Sequence, residues 1–494
     1  MTPPATSSTA ALRPDACPLY VDLDGTLTPG DTLYESVLLF VRRNPLNLLR
    51  LFSWLLRGKA ALKQRLASAV RPDAAHLPYH GPFLSFLRDE HARGRPLVLA
   101  SAADARIVRE VARHLEVFDD CLGTNAQADG INLSRANKRA AIDAHARARG
   151  HEAWAYAGNS RDDLEVWSGA TEAIAVNAPD GLLSALRRTH PQARVFEREP
   201  LRLATVLRAI RLRQWSKNGL LFVPLLAAHS LDPRLWGVVL LAFVAFGLCA
   251  SATYLVNDLL DLPNDRVHRI KRHRPLAAGT LGIPAAIALG VAMLALAFAL
   301  AFMVSTGFAV VLLAYTVTTL AYSLALKRMA LIDVLVLSGL YTLRLGAGAV
   351  ASGVSLSNWL LAIAIFLFLS LALVKRCAEL EEVDNADLSP APGRGYHPRD
   401  LASLRTMGMA SGFLAVMVLT LYIDSQNSLK LYAEPDLLWC AAPVLLLWVM
   451  RIWLKTGRRE LQGEDPLQFA LRDPFSWGTL LAMAAIGLVA TTGF

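Results

Sequence analysis

Cysteine is scarce in this chain and never paired in sequence. The five residues, Cys17, Cys121, Cys249, Cys377 and Cys440, stand far apart without a CxxC spacing, which fits a reducing compartment and offers no cysteine metal cage. Charge is thin as well. Only 18% of residues are charged, and the formal net charge of +9 comes from Lys and Arg gathered in a few short loops. No aromatic residues interleave with those loops, so they suit anionic lipid rather than nucleic acid. The leading MTPPATSSTAALRPDACP has no apolar core segment and is expected to be a disordered leader, not a signal peptide. No internal repeat is evident, which counts against the paired-repeat design of many transporters.

What the chain does have is an uneven supply of apolar residues. They make up 54% of 494 positions, yet the first ~200 residues read as a soluble domain and the rest as runs of membrane-spanning length. Nine spans can be drawn, roughly 216–231, 235–256, 281–305, 307–326, 331–351, 357–374, 406–423, 436–454 and 475–494, the first of them short. The loops between them alternate in character. Those at 257–274, 327–328, 375–405 and 455–472 are basic, whereas 230–234, 305–307, 352–357 and 424–436 hold few or no cations. The positive-inside rule then puts the basic loops and the N-terminal domain in the cytoplasm of a bacterial-type inner membrane, with the C-terminus outside.

Inside this oily half lies a dense charged stretch, NDLLDLPNDRVHRIKRHRP over 257–275. Asn257, Asp258, Asp261 and Asp265 are spaced to share one helix face, and Pro263 is expected to end or bend that helix and carry Asp265 into a loop. Carboxylates beside Arg266, Arg269, Lys271, Arg272 and Arg274 suit a magnesium–diphosphate ligand, with Asp on the metal and Lys/Arg on the phosphates. The plain alternative is a solvated loop whose charges cancel.

The soluble half carries its own constellation. LYVDLDGTL over 19–27 reads as a short buried strand ending in a polar turn. Asp22 at its end is placed as a nucleophile towards phosphorus, and Asp24 as general acid and base. A second strand, 96–100, delivers Ser101 to phosphate. Lys138 opens a helical stretch and offsets charge on phosphate and Asp22. A third strand, 154–157, runs into Asn159 and Asp163, which with Asp22 complete a magnesium site. Strands alternating with helices imply an α/β doubly wound, Rossmann-like sheet with the site at the strands' carboxyl ends.

These motifs resemble the haloacid dehalogenase-like phosphatases over residues 17–195. The resemblance adds Thr26 of the DLDGT turn as a phosphate-binding residue and assigns residues 31–91 to a helical cap. One departure stands out: the family's GDxxxD has become Gly158-Asn159 with Asp163, exchanging a metal carboxylate for an amide. Within the cap, residues 44–57 are unusually apolar and flanked by Arg42, Arg43, Arg57 and Lys59. They read as cap core, with a membrane-interfacial helix as the alternative.

Residues 205–494 resemble the UbiA superfamily of intramembrane transferases, whose NDxxDxxxD signature is met here together with KRHRPLAAG over 271–279. That resemblance implies an all-α bundle of about nine spans, with Mg²⁺–diphosphate on Asp258, Asp261 and Asp265. A second DxxxD is missing, since Asp333 is followed by Leu337. RQWSKN (213–218), YSLALK (322–327), the 332–348 run and KRCAEL (375–380) look instead like the polyprenyl-phosphate phosphoribosyltransferase branch. The branch implies phosphoribosyl diphosphate and polyprenyl phosphate as substrates. Its candidate contacts are Asn257, Lys217, Lys271, Arg274, Tyr322, Lys327, Asp333, Tyr341, Arg344, Lys375, Arg376 and Glu379. Arg344, charged and in mid-span, is the least easily explained as a bland residue. Competing readings are prenyl transfer to an aromatic acceptor and a lipid-phosphate carrier with a regulatory soluble domain.

Overall fold

The computed structural model describes residues 17–124, 132–197, 200, 202–381, 395–461 and 465–492. The expected leader over the first 16 residues, and part of the 375–405 and 455–472 loops, lie outside them. The chain divides into two compact units, residues 1–209 with 258–287 and residues 210–257 with 288–494.

In the first unit, six parallel strands run β1 (Leu19–Val21), β2 (Leu97–Asp104), β3 (Asp120–Thr124), β4 (Ala155–Gly158), β5 (Glu172–Val176) and β6 (Arg194–Phe196). They are ordered β3-β2-β1-β4-β5-β6, each pair parallel. Successive side chains of a strand point to opposite faces, and both faces here are apolar, as a sheet covered on two sides requires. Leu19, Val21, Leu97, Leu99, Ala155 and Ala157 pack into one core layer with Phe83, Leu87 and Ile107. Tyr20, Val98, Ala100 and Tyr156 enter the other with Ile142 and Trp167. The chain steps outward from β1 to β3 and then returns to place β4 on the other side of β1, a reversal that opens a crevice at the carboxyl end of β1.

Between β1 and β2 the helices Thr32–Arg43, Asn47–Leu55 and Lys59–Ala69 form the insert expected as a cap. It has its own small core of Phe40, Leu51, Leu62, Leu66 and Val70. The next helix, Gly81–Ala92, gives Phe83, Phe86 and Leu87 to the sheet's core instead. The part with independent packing therefore ends near Val70, short of the expected 91.

Eight helices among the described residues are long and apolar enough to cross a membrane: Pro233–Val267, Ile283–Val304, Thr306–Leu324, Ile332–Ser352, Asn358–Glu381, Pro398–Ile423, Pro435–Gly457 and Pro474–Thr492. The chain is a multi-pass membrane protein. The expected first span, 216–231, is not a ninth long helix. A 3₁₀ stretch, Leu212–Phe222, gives way to a five-residue α-helix, Val223–Ala227. Ser216, Lys217, Asn218 and Gly219 leave too short an apolar run for the ~20 residues a span needs. Pro263 also behaves otherwise than expected. The helix runs through it to Val267, so Asp265 stays helical. Pro263 removes the one donor that would pair with the Leu259 carbonyl, and the helix continues across that gap for one further turn.

A glycine fixes where the 3₁₀ stretch lies. A Cβ on Gly348 would come within 2.0 Å of the Leu221 carbonyl oxygen, so the backbone of Leu212–Phe222 rests directly on the Ile332–Ser352 helix. Gly348→Ala is expected to cost about 2–3 kcal/mol through overpacking, read as a fall in Tm of the solubilised protein. At Gly339 in the same helix an added methyl would meet nothing within 4 Å, and Gly339→Ala serves as the harmless control.

Candidate active sites

In the first unit, β1 delivers Asp22 and Asp24 to the crevice. Lys138, four residues into the Arg135–Ala148 helix, lies 3.0 Å from Asp22 Oδ1 and donates to Tyr156 Oη at 2.9 Å. Burial pushes the Asp22 carboxyl up to about 6, against the pull of Lys138. Asp24 is pushed up to about 7, first by burial and then by the charge of Asp31, although its Oδ1 accepts from the Thr32 amide at 2.7 Å. One carboxylate paired to an ammonium beside one that holds a proton near neutrality is the arrangement a nucleophile and a general acid require. Ser101 is buried in β2 and its Oγ accepts from the Ala103 amide at 3.1 Å. Thr26 is fully buried, its Oγ1 without a hydrogen-bond partner among the described residues. A small cleft joins Asp24 to Thr32, Ser36, Lys63 and Leu66 of the helical insert.

Asp163 differs from its expected place as a metal ligand. Its Oδ2 accepts from the amides of Asn159 and Ser160 (3.0 and 2.9 Å) and the Ser160 hydroxyl (2.8 Å), and its Oδ1 from Tyr156 Oη at 2.6 Å. Burial works against its ionised form, yet Lys138, Tyr156 and Ser160 together bring its carboxyl below the usual range. It anchors the loop and holds Lys138 from the far side at 3.5 Å. Asn159 does reach the crevice. Its amide lies against Gly25, where a Cβ would meet Asn159 Nδ2 at 2.0 Å and where φ is +77°. Asp22 and Asn159 are thus the two donors that fit Mg²⁺, with bound phosphate supplying further oxygens.

The same unit contains the acidic face of the Pro233–Val267 helix. Asp258 and Asp265 are buried two turns apart, Asp261 half-buried between them. Arg274 Nη1 bridges the outer two, 3.2 Å from Asp258 Oδ1 and 2.6 Å from Asp265 Oδ2. A guanidinium already sits where two carboxylates converge, so the pair fits a cation. Mg²⁺ characteristically takes one or two carboxylates and completes its shell with substrate phosphates and water. Lys271 is exposed in the turn that follows. Arg266, next to Asp265, is held by Glu35 of the insert at 2.6 and 3.1 Å, a buried bidentate pair that no sequence motif signals.

The second unit gathers cations. Lys217 Nζ meets Asp465 Oδ2 at 2.7 Å and Lys375 Nζ meets the same oxygen at 3.5 Å, while Tyr341 Oη lies 3.5 Å from Asp465 Oδ1. Burial raises the Asp465 carboxyl, but Lys217 and then Lys375 outweigh it and hold the group well below its ordinary range. Arg344 is 4% exposed and has only uncharged partners among the described residues: Asn218 Oδ1, the Leu340 carbonyl and Tyr315 Oη, at 3.1, 2.6 and 3.1 Å. Its guanidinium also faces the Phe246, Tyr315 and Tyr341 rings. Asn218 Nδ2 is buried without a partner among the described residues. A small cleft with Leu337, Phe368 and Leu371 on its apolar side opens onto Lys375 and Asp465. Asp465→Asn strands the buried Lys217 ammonium, so it is expected to cost about 3 kcal/mol, visible as a lowered Tm.

Other expected contacts are committed elsewhere. Lys327, buried, donates to Asn257 Oδ1 at 3.4 Å. Asp333 is fully buried, 2.9 Å from Arg376 Nε and accepting from Tyr396 Oη at 2.6 Å. Arg376 in turn contacts Glu379 and, at 3.5 Å, Tyr322 Oη. That cluster clamps the Ile332–Ser352 and Asn358–Glu381 helices together. Asp465 and Tyr396 escape a sequence reading because each lies in a polar loop far from any motif. Asn218 is within its reach, since it closes the RQWSKN run.

Comparison with known proteins agrees with this anatomy. The UbiA prenyltransferase family matches residues 219–462, and the haloacid dehalogenase-like hydrolase family matches 19–167. The uncharacterized protein y4nM of Sinorhizobium fredii is 36% identical over 476 residues, covering 95% of this chain and 90% of that one. The nodulation protein NoeC of Azorhizobium caulinodans is 30% identical over 285 residues, 58% of this chain and 92% of that one. The decaprenyl-phosphate phosphoribosyltransferase of Mycobacterium tuberculosis is 42% identical over 187 residues, 36% of this chain and 61% of that enzyme. The chain is thus an enzyme of the UbiA prenyltransferase family that carries a haloacid dehalogenase-like hydrolase domain at its N-terminal end.

Proposed function

We propose that the membrane half transfers the 5-phosphoribosyl group of phosphoribosyl diphosphate to polyprenyl phosphate, and that the hydrolase domain removes a phosphate from the lipid product. The observation that carries the first part is the surplus of cations in the membrane half, with Lys217 and Arg344 buried and Lys375 half-buried. Among the described residues, Lys217 and Lys375 share one carboxylate, Asp465, and Arg344 has none. A charged group in a membrane bundle without a counter-ion marks a ligand path. A donor with a diphosphate and a 5-phosphate, together with a phosphate acceptor, supplies three anionic groups to these cations, whereas an isoprenyl diphosphate with a hydroxybenzoate supplies a diphosphate and one carboxylate. The similarity to decaprenyl-phosphate phosphoribosyltransferases supports the same reading.

In this reaction the bond between ribose C1 and the diphosphate oxygen breaks, the diphosphate leaves with the electron pair, and a lipid phosphate oxygen bonds to C1. Asp258, Asp261 and Asp265 would hold Mg²⁺, which would supply charge stabilisation for the departing diphosphate. Lys271 and Arg274 hold the diphosphate oxygens, and Lys217, Arg344 and Lys375 neutralise the remaining phosphates. At the hydrolase centre Asp22 attacks phosphorus to form an aspartyl-phosphate while Asp24 protonates the leaving alkoxide; Asp24 then takes a proton from the water that attacks this intermediate, which frees phosphate and restores Asp22, and Lys138 and Ser101 steady the phosphoryl group in both steps. The basic loops favour a cytoplasmic side for both centres.

The test uses purified protein with magnesium and polyprenyl phosphate. Label from phosphoribosyl diphosphate should become lipid-soluble. Transfer from an isoprenyl diphosphate to a hydroxybenzoate, with none from phosphoribosyl diphosphate, would overturn the reading.

A further inference from the structure

We infer that the Asn47–Leu55 helix of the insert is a membrane-interface foot, and that the hydrolase centre behind it takes a phosphomonoester borne by a lipid. The lipid-borne substrate rests on the hydrolase reading above; the foot does not. Among the described residues between 17 and 197, seven large apolar side chains are exposed, and six of them fall within 46–56: Leu46, Leu48, Leu49, Phe52, Leu55 and Leu56. Each of the six is more than half exposed. An aqueous domain rarely presents so concentrated a patch without something to cover it.

The pattern on the helix identifies what covers it. At ~100° per residue, Leu48, Leu49, Phe52, Leu55 and Leu56 fall on one arc of roughly 120°. Leu51 and Asn47 face the opposite way into the insert, where Asn47 Nδ2 is tied to the Phe40 carbonyl at 2.8 Å. Arg50 is exposed on the side of the helix away from the apolar arc, Arg57 is exposed just past its end, and Arg43 lies at the preceding helix's end. An apolar face backed by cations on the polar face is how a helix lies in the headgroup region of an anionic bilayer. The same chain crosses the membrane repeatedly, so lipid is always at hand. This overturns the cap-core expectation for residues 44–57. Only Leu51, and part of Trp54, serve the insert's core.

The foot connects two helices that line the hydrolase cleft. Ser36 precedes it on Thr32–Arg43; Lys63 and Leu66 follow it on Lys59–Ala69. A lipid-borne phosphate therefore meets an insert already seated in its own phase, whereas a soluble phosphomonoester gains nothing from the foot.

The experiment uses the full chain in nanodiscs containing phosphatidylglycerol, with Cys17, Cys121 and Cys440 replaced by serine and an environment-sensitive fluorophore at Leu49→Cys. Brominated phosphatidylglycerol should quench this label at least threefold more than one at Ser68→Cys, which is exposed on the neighbouring helix. Equal quenching overturns the foot. Should the labelled variants misfold, amide exchange of 46–56 in the wild-type protein decides: slower exchange with phosphatidylglycerol than with phosphatidylcholine alone supports the foot, and equal exchange overturns it. For the substrate, Phe52→Glu should lower phosphate release from farnesyl phosphate in the disc at least fivefold and leave release from p-nitrophenyl phosphate within twofold. Equal losses on both overturn the lipid-borne substrate. Release from neither by the wild type removes the hydrolase reading and the lipid substrate together, while the quenching result still decides the foot.

Discussion

Asp258→Asn is expected to lower ribosyl transfer by about 10²–10³-fold, the usual loss when a charge-stabilising group is removed from a departing anion. The fold should survive it. Arg274 keeps Asp265 at 2.6 Å when it loses Asp258 at 3.2 Å, so its guanidinium stays paired. Asp265→Asn is the more disruptive of the pair, because it removes the shorter contact. Two readouts separate chemistry from folding: the Tm of the purified variant, and phosphate release by the hydrolase centre from added p-nitrophenyl phosphate, which should be unchanged. A folded Asp258→Asn that still turns over near the wild-type rate would make the acidic face a solvated feature with no metal role.

The sheet and the hydrolase motifs are legible in the sequence because strand period and turn chemistry are local properties. Short apolar runs locate β1, β2 and β4; β1 and β4 end beside the expected side chains, Asp22 and Asn159, whereas β2 runs on to Asp104 and holds Ser101 inside the strand. The eight long helices are legible for the same reason, since membrane-spanning length is written in composition. Three differences have a common cause. A span at 216–231, a helix end at Pro263 and a core role for residues 44–57 all depend on what packs nearby. Gly348 lets a 3₁₀ backbone lie where composition suggests a long helix. The Pro233–Val267 helix carries its proline within reach of its own end. Leu48 and Leu49 look like core from hydropathy alone, yet the insert has room for little more than Leu51. Non-local ion pairs are beyond sequence altogether. Asp465 reaches Lys217 across 248 positions, and Glu35 reaches Arg266 across 231.

Asp22→Asn is expected to abolish phosphate release, a fall of more than about 10³-fold, while ribosyl transfer persists. The amide cannot form the aspartyl-phosphate, and its loss of charge leaves Lys138 paired only through Asp163 at 3.5 Å. The pH profile gives an independent check on the two roles. Asp22 must be ionised to attack, so activity rises as pH climbs through about 6. Asp24 must carry its proton to protonate the leaving group, so activity falls as pH passes about 7. A narrow bell between those values follows for kcat/KM of the wild type on a phosphomonoester. Bound Mg²⁺ favours the ionised form of Asp22, and raising its concentration should move the acidic limb lower while leaving the basic limb in place. Asp31 raises the Asp24 carboxyl through its charge, so Asp31→Asn should shift the basic limb to lower pH. A basic limb unmoved by that substitution would assign the proton to another group.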